Sequence, residues 1–172
     1  MPVELLRSED FRALFRSSGR AFHLELRDSY NVAHEDEPFR KWLVGEADDY
    51  EWRQPWLSFI QEVTASGVVV QRVRIASVPH TDYFRWEIAL TPQNIDAGED
   101  VRFLPRRLAD GIALPDDDCW LFDDGKLVLS IFTPDGRAGA FVRDADIKRI
   151  ADYRAARDQI WAKAVPYSQY VR

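Results

Sequence analysis

The sequence predicts a mixed α/β (α+β) fold: one domain with a largely central β-sheet flanked by helices. Three observations predict it. An apolar strand, Val68 to Ala76, is followed by a helix and then by Val101 to Leu104, the order of a parallel crossover. Three further strands come in quick succession, joined by the hairpin-type turns Asp123-Asp124-Gly125 and Pro134-Asp135-Gly136. Finally, 172 residues of 46% hydrophobic and 13% aromatic content can bury one core without disulfides or metal. The domain is read over residues 1–172. Residues 1–66 are mainly helical with one strand, and residues 67–172 carry a mixed sheet and a terminal helix.

Each element has its own signal. Ser8-Glu9-Asp10 before Phe11, Leu14 and Phe15 reads as a capped helix, ended by Ser17-Ser18-Gly19. Ala21 to Arg27 alternates as a half-buried strand, with Phe22, Leu24 and Leu26 inward and His23 and Glu25 on the wetter face. Glu35 to Pro38 opens a short helix with Phe39, Trp42 and Leu43 inward, closed by Gly45. Asp48-Asp49 and Pro55 start another, carrying Trp56, Phe59, Ile60 and Val63 at helical spacing, and Ser66-Gly67 stops it. Val68 to Ala76 is apolar on both faces at its start, as a central strand is, although Gln71 interrupts the inward parity. Asp82 to Leu90 aligns Tyr83, Trp86 and Leu90 in one stripe. Thr91-Pro92 then reads as the cap of a separate turn ending at Gly98. Cys119 to Phe122, Lys126 to Phe132 and Arg137 to Val142 form the meander, and Asp144 to about Ala164 closes the chain as a helix. The tryptophans Trp42, Trp52, Trp56 and Trp86 are assigned to core packing.

Composition excludes several functions. A net charge of -6 argues against direct nucleic-acid binding and against an anionic membrane surface. No apolar run approaches membrane-spanning length, and the first ten residues lack the apolar centre of a signal peptide. A lone cysteine, Cys119, suits a reducing cytoplasm and a buried structural role. His23, His34 and His80 are scattered without metal-ligand spacing, and the aspartates 116–118 and 123–124 read as solvated turns. No glycine loop for phosphate and no nucleophile elbow occurs. Neither a metal nor a cofactor is expected.

The candidate site is the polar and aromatic stretch around the ends of the two crossover strands: His80, Asp82, Tyr83, Arg85, Glu87, Arg102, Arg106 and Arg107. Loops beyond the carboxyl ends of parallel strands hold ligands in open sheets, and arginines can grip a carboxylate or phosphate bidentately. A surface helix with rim ion pairs is the competing reading.

Several strings resemble the actinobacterial family catalogued as domain of unknown function 6879. They are Phe22 to Tyr30, Phe39 to Leu43, Pro79 to Tyr83, Ala97 to Arg106, Trp120 to Asp124 and Trp161 to Pro166. The resemblance spans nearly the whole chain. It implies no reaction, but it implies a regulatory role, because such proteins are met beside helix-turn-helix regulators. From Val68 onward the chain also looks like one half of a phospholipase D-type domain, whose motif is His-x-Lys-x-x-x-x-Asp. With Asp123 as its last residue, Asp116 stands for the nucleophilic histidine and Asp118 for the lysine; with Asp124, Asp117 and Cys119 stand there and serve no better. Two acids cannot do that work, so this likeness implies a fold without its phosphodiesterase chemistry.

The expectation is therefore a non-catalytic cytoplasmic accessory protein whose partner is a helix-turn-helix regulator or a small anionic ligand. The alternative is a small-molecule enzyme using His80 as acid/base with Glu87 as its orienter and nearby arginines.

Overall fold

The computed structural model describes residues 3–172, which form one eight-stranded mixed sheet with helices on both faces. In chain order the elements are β1 (Val3–Leu5), α1 (Ser8–Arg16), β2 (Arg20–Glu25), α2 (Asp36–Val44), α3 (Gln54–Ala65), β3 (Val69–Ala76), α4 (Asp82–Asp96), β4 (Glu99–Pro105), β5 (Asp118–Phe122), β6 (Lys126–Phe132), β7 (Ala138–Asp144), α5 (Ile147–Lys163), β8 (Val165–Pro166) and α6 (Tyr167–Tyr170). The strand order is β1-β7-β6-β5-β2-β3-β4-β8. β2, β3 and β4 are mutually parallel, as the crossover order requires, while β5, β6 and β7 form the antiparallel meander against β2. The short edge strands β1 and β8 have no periodic signal of their own and are visible only through their partners β7 and β4.

The two sheet faces differ in kind. On one, Phe22, Leu24, Val73, Ile75, Leu104, Leu121 and Leu127 pack against Tyr153, Ala156 and Ile160 of α5, and Cys119 lies buried among them. On the other, Phe11 and Phe15 of α1 and Phe59, Ile60 and Val63 of α3 cover Ala21, Val70, Trp120 and Phe122. α4 lies on that second face too, with Phe84 against Ala76, Val101 and Phe103. Its stripe of Tyr83, Trp86 and Leu90 turns away from the sheet toward Phe39 and Trp42 of α2 and toward Trp52.

Several local expectations change. Ser8 lies inside α1 and makes no cap; Arg7 precedes the helix and pairs with Glu9 and Asp10 instead. Leu43 points outward, half exposed, because α2 packs through Pro38, Phe39 and Trp42. α4 does not restart at Thr91-Pro92. The proline sits within one continuous helix, and side chains take up nearby carbonyls: the Thr91 hydroxyl donates to Glu87 O at 2.8 Å and Arg53 Nη1 to Leu90 O at 3.1 Å. The closing helix begins at Ile147, capped by Asp146, since β7 runs on to Asp144. Gly98, between α4 and β4, has φ 111°, and a Cβ there would lie 2.5 Å from Thr64 Oγ1, so the turn packs against α3 only with glycine.

β2 departs most from expectation. It is central rather than half-buried, lying between β5 and β3, and Glu25 is only 6% exposed. The face carrying His23 and Glu25 is not wet; helices roof it. Among the described residues no helix is long and apolar enough to cross a membrane, and no group of three or more His, Cys, Asp or Glu is placed to hold a metal ion.

Candidate functional site

Alternation in the central strands sends one set of charged side chains to the helix-roofed face: His23 and Glu25 from β2, Arg72 and Arg74 from β3, and Glu99 from β4. Arg72 binds Glu99 through two nitrogens at 2.8 and 3.1 Å and reaches Glu25 with a third. Arg74 donates to Glu25 at 3.4 Å and to the Thr91 hydroxyl at 2.8 Å, and lies 3.8 Å from Glu87. Asn94 donates to Glu99 at 3.2 Å. Buried charges of this kind persist only when paired and hydrogen-bonded, as these are.

Above this layer lies a cavity of about 530 Å³, within the range of small-molecule sites. Its floor is the polar face of β2, β3, β5 and β6, including Asp118, Trp120 and Ser130. Its walls are largely aromatic: Phe11, Trp52, Trp56, Trp86, Phe132 and Phe141. The Tyr30 hydroxyl donates to Asp118, and the Tyr83 hydroxyl donates to Glu35 at 2.5 Å. The His23 ring stacks on Trp120 at 4.2 Å and its Nδ1 meets Cys119 O at 2.8 Å.

The carboxyls divide by surroundings. Burial pushes Glu25 up, but Arg74 and Arg72 outweigh it and hold the group down at about 2. Burial raises Glu87 to about 8 against the pull of Arg74, with Glu25 and Glu35 adding repulsion. Asp118 rises to about 7 through burial, despite its bonds from Tyr30 and Leu26 N. Burial and Arg72 lower His23 to about 4. Glu87 Oε2 and Ser130 Oγ are buried atoms with no hydrogen-bond partner. A cavity with perturbed titratable groups and unmet polar atoms is the candidate binding site of this fold.

The eight candidate residues do not converge. Tyr83 and Glu87 line the cavity. His80 lies outside it, bonded to Ser77 O at 3.0 Å and to the Tyr170 hydroxyl at 2.9 Å, and stacked on Phe84. Asp82 and Arg85 form an exposed pair on the first turn of α4. Arg102 shares the parity of Val73 and lies on the opposite sheet face, 3.8 Å above the Trp161 ring. Arg106 ties the strand ends together, donating to Leu26 O at 2.6 Å and Ser77 Oγ at 3.2 Å, while Arg107 is exposed. No shared pocket joins His80, Glu87 and Arg102, because the sheet separates Arg102 from Glu87 and α4 turns His80 toward α6. The residues missed were His23, Glu25, Arg72, Arg74 and Asp118. Their signal was present: His-x-Glu and Arg-x-Arg on two strands whose other parity is apolar. Strands joined by helical crossovers are generally covered on both faces, so the charges of β3 are placed under a roof once the crossover is recognised. Trp52, Trp56 and Trp86, assigned to packing, also line the cavity.

Of the three acids set against the phosphodiesterase motif, Asp116 is exposed and Asp118 faces the cavity. Asp123 keeps a structural task, its Oδ1 accepting from Gly19 N and Arg20 N at 3.0 Å each.

Comparison with known proteins agrees with this architecture. The family described as "Domain of unknown function (DUF6879)" matches residues 9–172. A search of curated proteins finds no match. Among solved structures, Nuc from Salmonella typhimurium, described as a phospholipase D family member, is similar in fold, with a TM-score of 0.52 at 13% identity, over 96% of each chain. The likeness thus runs over nearly the whole chain rather than only from Val68 onward, since β2 from the first third is a central strand.

Proposed function

The chain belongs to the family described as domain of unknown function DUF6879, and on that premise we propose that it is a non-catalytic small-ligand-binding protein. Its ligand occupies the cavity between the central strands and helices α1, α3 and α4. One observation carries this reading: an aromatic-walled cavity of about 530 Å³ beside a buried carboxyl oxygen, Glu87 Oε2, that the protein leaves without a partner. Acids at the positions of a phosphodiesterase's histidine and lysine support binding rather than that chemistry.

Indole, a neutral aromatic probe far smaller than the cavity, tests the site. Titration calorimetry is expected to show saturable binding with Kd below about 1 mM. Ala140→Trp, which adds bulk to the cavity lining, is expected to abolish it. Absence of saturable binding to the unaltered chain removes the reading.

The family resemblance adds a partner, a helix-turn-helix regulator. Co-expression with a helix-turn-helix regulator from the gene neighbourhood that the resemblance implies is expected to yield a complex that survives size-exclusion chromatography. Separate elution, with and without a cavity ligand, removes the partner and leaves the cavity.

A further inference from the structure

Resting on that reading of the cavity, we propose that its ligand is an organic cation, an ammonium group carried on an aromatic or apolar frame. The hydrogen-bond inventory around the cavity points this way. Each buried arginine already holds partners: Arg72 holds Glu99 and Glu25, Arg74 holds Glu25 and Thr91, and Arg53 holds Leu90 O, Gln93 and Asn94. An anion would compete with the carboxylates that Arg72 and Arg74 already hold.

Acceptors, by contrast, are in surplus. Glu87 is the least well paired of the buried carboxyls, with one oxygen 3.8 Å from Arg74 and the other without a partner. Where His23 Nδ1 donates to Cys119 O, the neutral ring turns a bare Nε2 toward Glu25 Oε1 at 3.5 Å, placing two acceptors face to face. A group bearing several N–H donors and a positive charge answers these acceptors at once. The walls suit the same guest. Trp52, Trp86, Tyr30 and Tyr83 offer ring faces whose quadrupoles attract cations, and they supply apolar area for the rest of the molecule. Arg12 is the one lining cation outside these networks, and it lies over the Phe59 ring at 4.6 Å.

Four probes on one frame decide the matter: indole, tryptophol, tryptamine and indole-3-acetate, titrated into the full chain by calorimetry at about pH 9, where the Glu87 carboxyl is ionised. Tryptamine is expected to bind at least about tenfold more tightly than tryptophol, with indole-3-acetate weakest. Glu87→Gln, nearly isosteric, is expected to cut the tryptamine advantage over tryptophol below about threefold. Equal affinity for tryptamine and tryptophol overturns the cation assignment but spares the cavity. So does an unchanged tryptamine advantage in Glu87→Gln. Preference for indole-3-acetate also overturns it and hands the site to Arg12. Failure of all four probes overturns both the cation and the binding function.

Discussion

Replacing Arg72 with methionine is expected to lower the stability of the folded chain by about 3–5 kcal/mol, read by urea denaturation. The arginine is 8% exposed and satisfies two carboxylates at once. One of them, Glu99, has a side chain that is wholly buried and keeps only Asn94 as a further donor. Methionine fills the space of the aliphatic stem and leaves Glu99 as an unpaired charge in the core. Removing the partner as well reverses much of the loss, because an apolar pair of similar volume carries no desolvation cost. The double variant R72M/E99M is therefore expected to be more stable than R72M by at least about 1 kcal/mol. A loss below about 1 kcal/mol in R72M would mean that the network does not hold the central strands together.

Between about pH 5 and 8 the stability of the chain is expected to fall as pH rises, and Glu87→Gln is expected to flatten that fall. The Glu87 carboxyl is raised in the folded state, from an ordinary value near 4.5 to about 8, so the folded chain binds the extra proton across that window. Stability from the neutral form is complete below the unfolded value and is lost as pH climbs through the folded one. The groups facing Glu87 are Arg74 and Arg72 from β3, Glu25 from β2, Glu35 from the loop before α2, and the hydroxyls of Tyr30 and Tyr83. Asp118, raised to about 7, acts in the same direction, so Asp118→Asn is expected to remove a second share. Glu25 and Glu99 act oppositely, both held below their ordinary range with a contribution lost under acid conditions. His23, lowered to about 4, offsets part of the fall below about pH 6.5. Denaturation midpoints of the chain and of Glu87→Gln at pH 5, 7 and 9 check the sign. A slope unchanged by the substitution would place the proton elsewhere.

The tryptamine advantage and this pH slope share one group. A cation that needs the Glu87 carboxylate competes with the proton that burial favours. Both effects should therefore vanish in the same variant.

Much of the fold was legible in the residues. The crossover between β3 and β4 follows from Val68 to Ala76 and its helical return, and the meander follows from two glycine-bearing turns. These signals are local: alternation, caps and turn residues act within a few positions of themselves. Pro92 shows the limit of such reasoning. The expected helix restart does not occur: α4 runs through Pro92, and Arg53 from a distant segment binds Leu90 O beside it.

The candidate site was far less legible. His80, Asp82, Arg85, Arg102, Arg106 and Arg107 are close in sequence, but the sheet and the turn of α4 disperse them. The cavity instead gathers residues from 8 to 141, with Glu25 and Arg72 bonded across 47 positions. The sequence by itself determined the fold class, the parallel crossover and the meander, because short-range pattern encodes each. Only the tertiary structure decided that His23, Glu25, Arg72 and Arg74 face a roofed cavity rather than water. Alternation separates the two faces of a strand but cannot say which one the helices will cover.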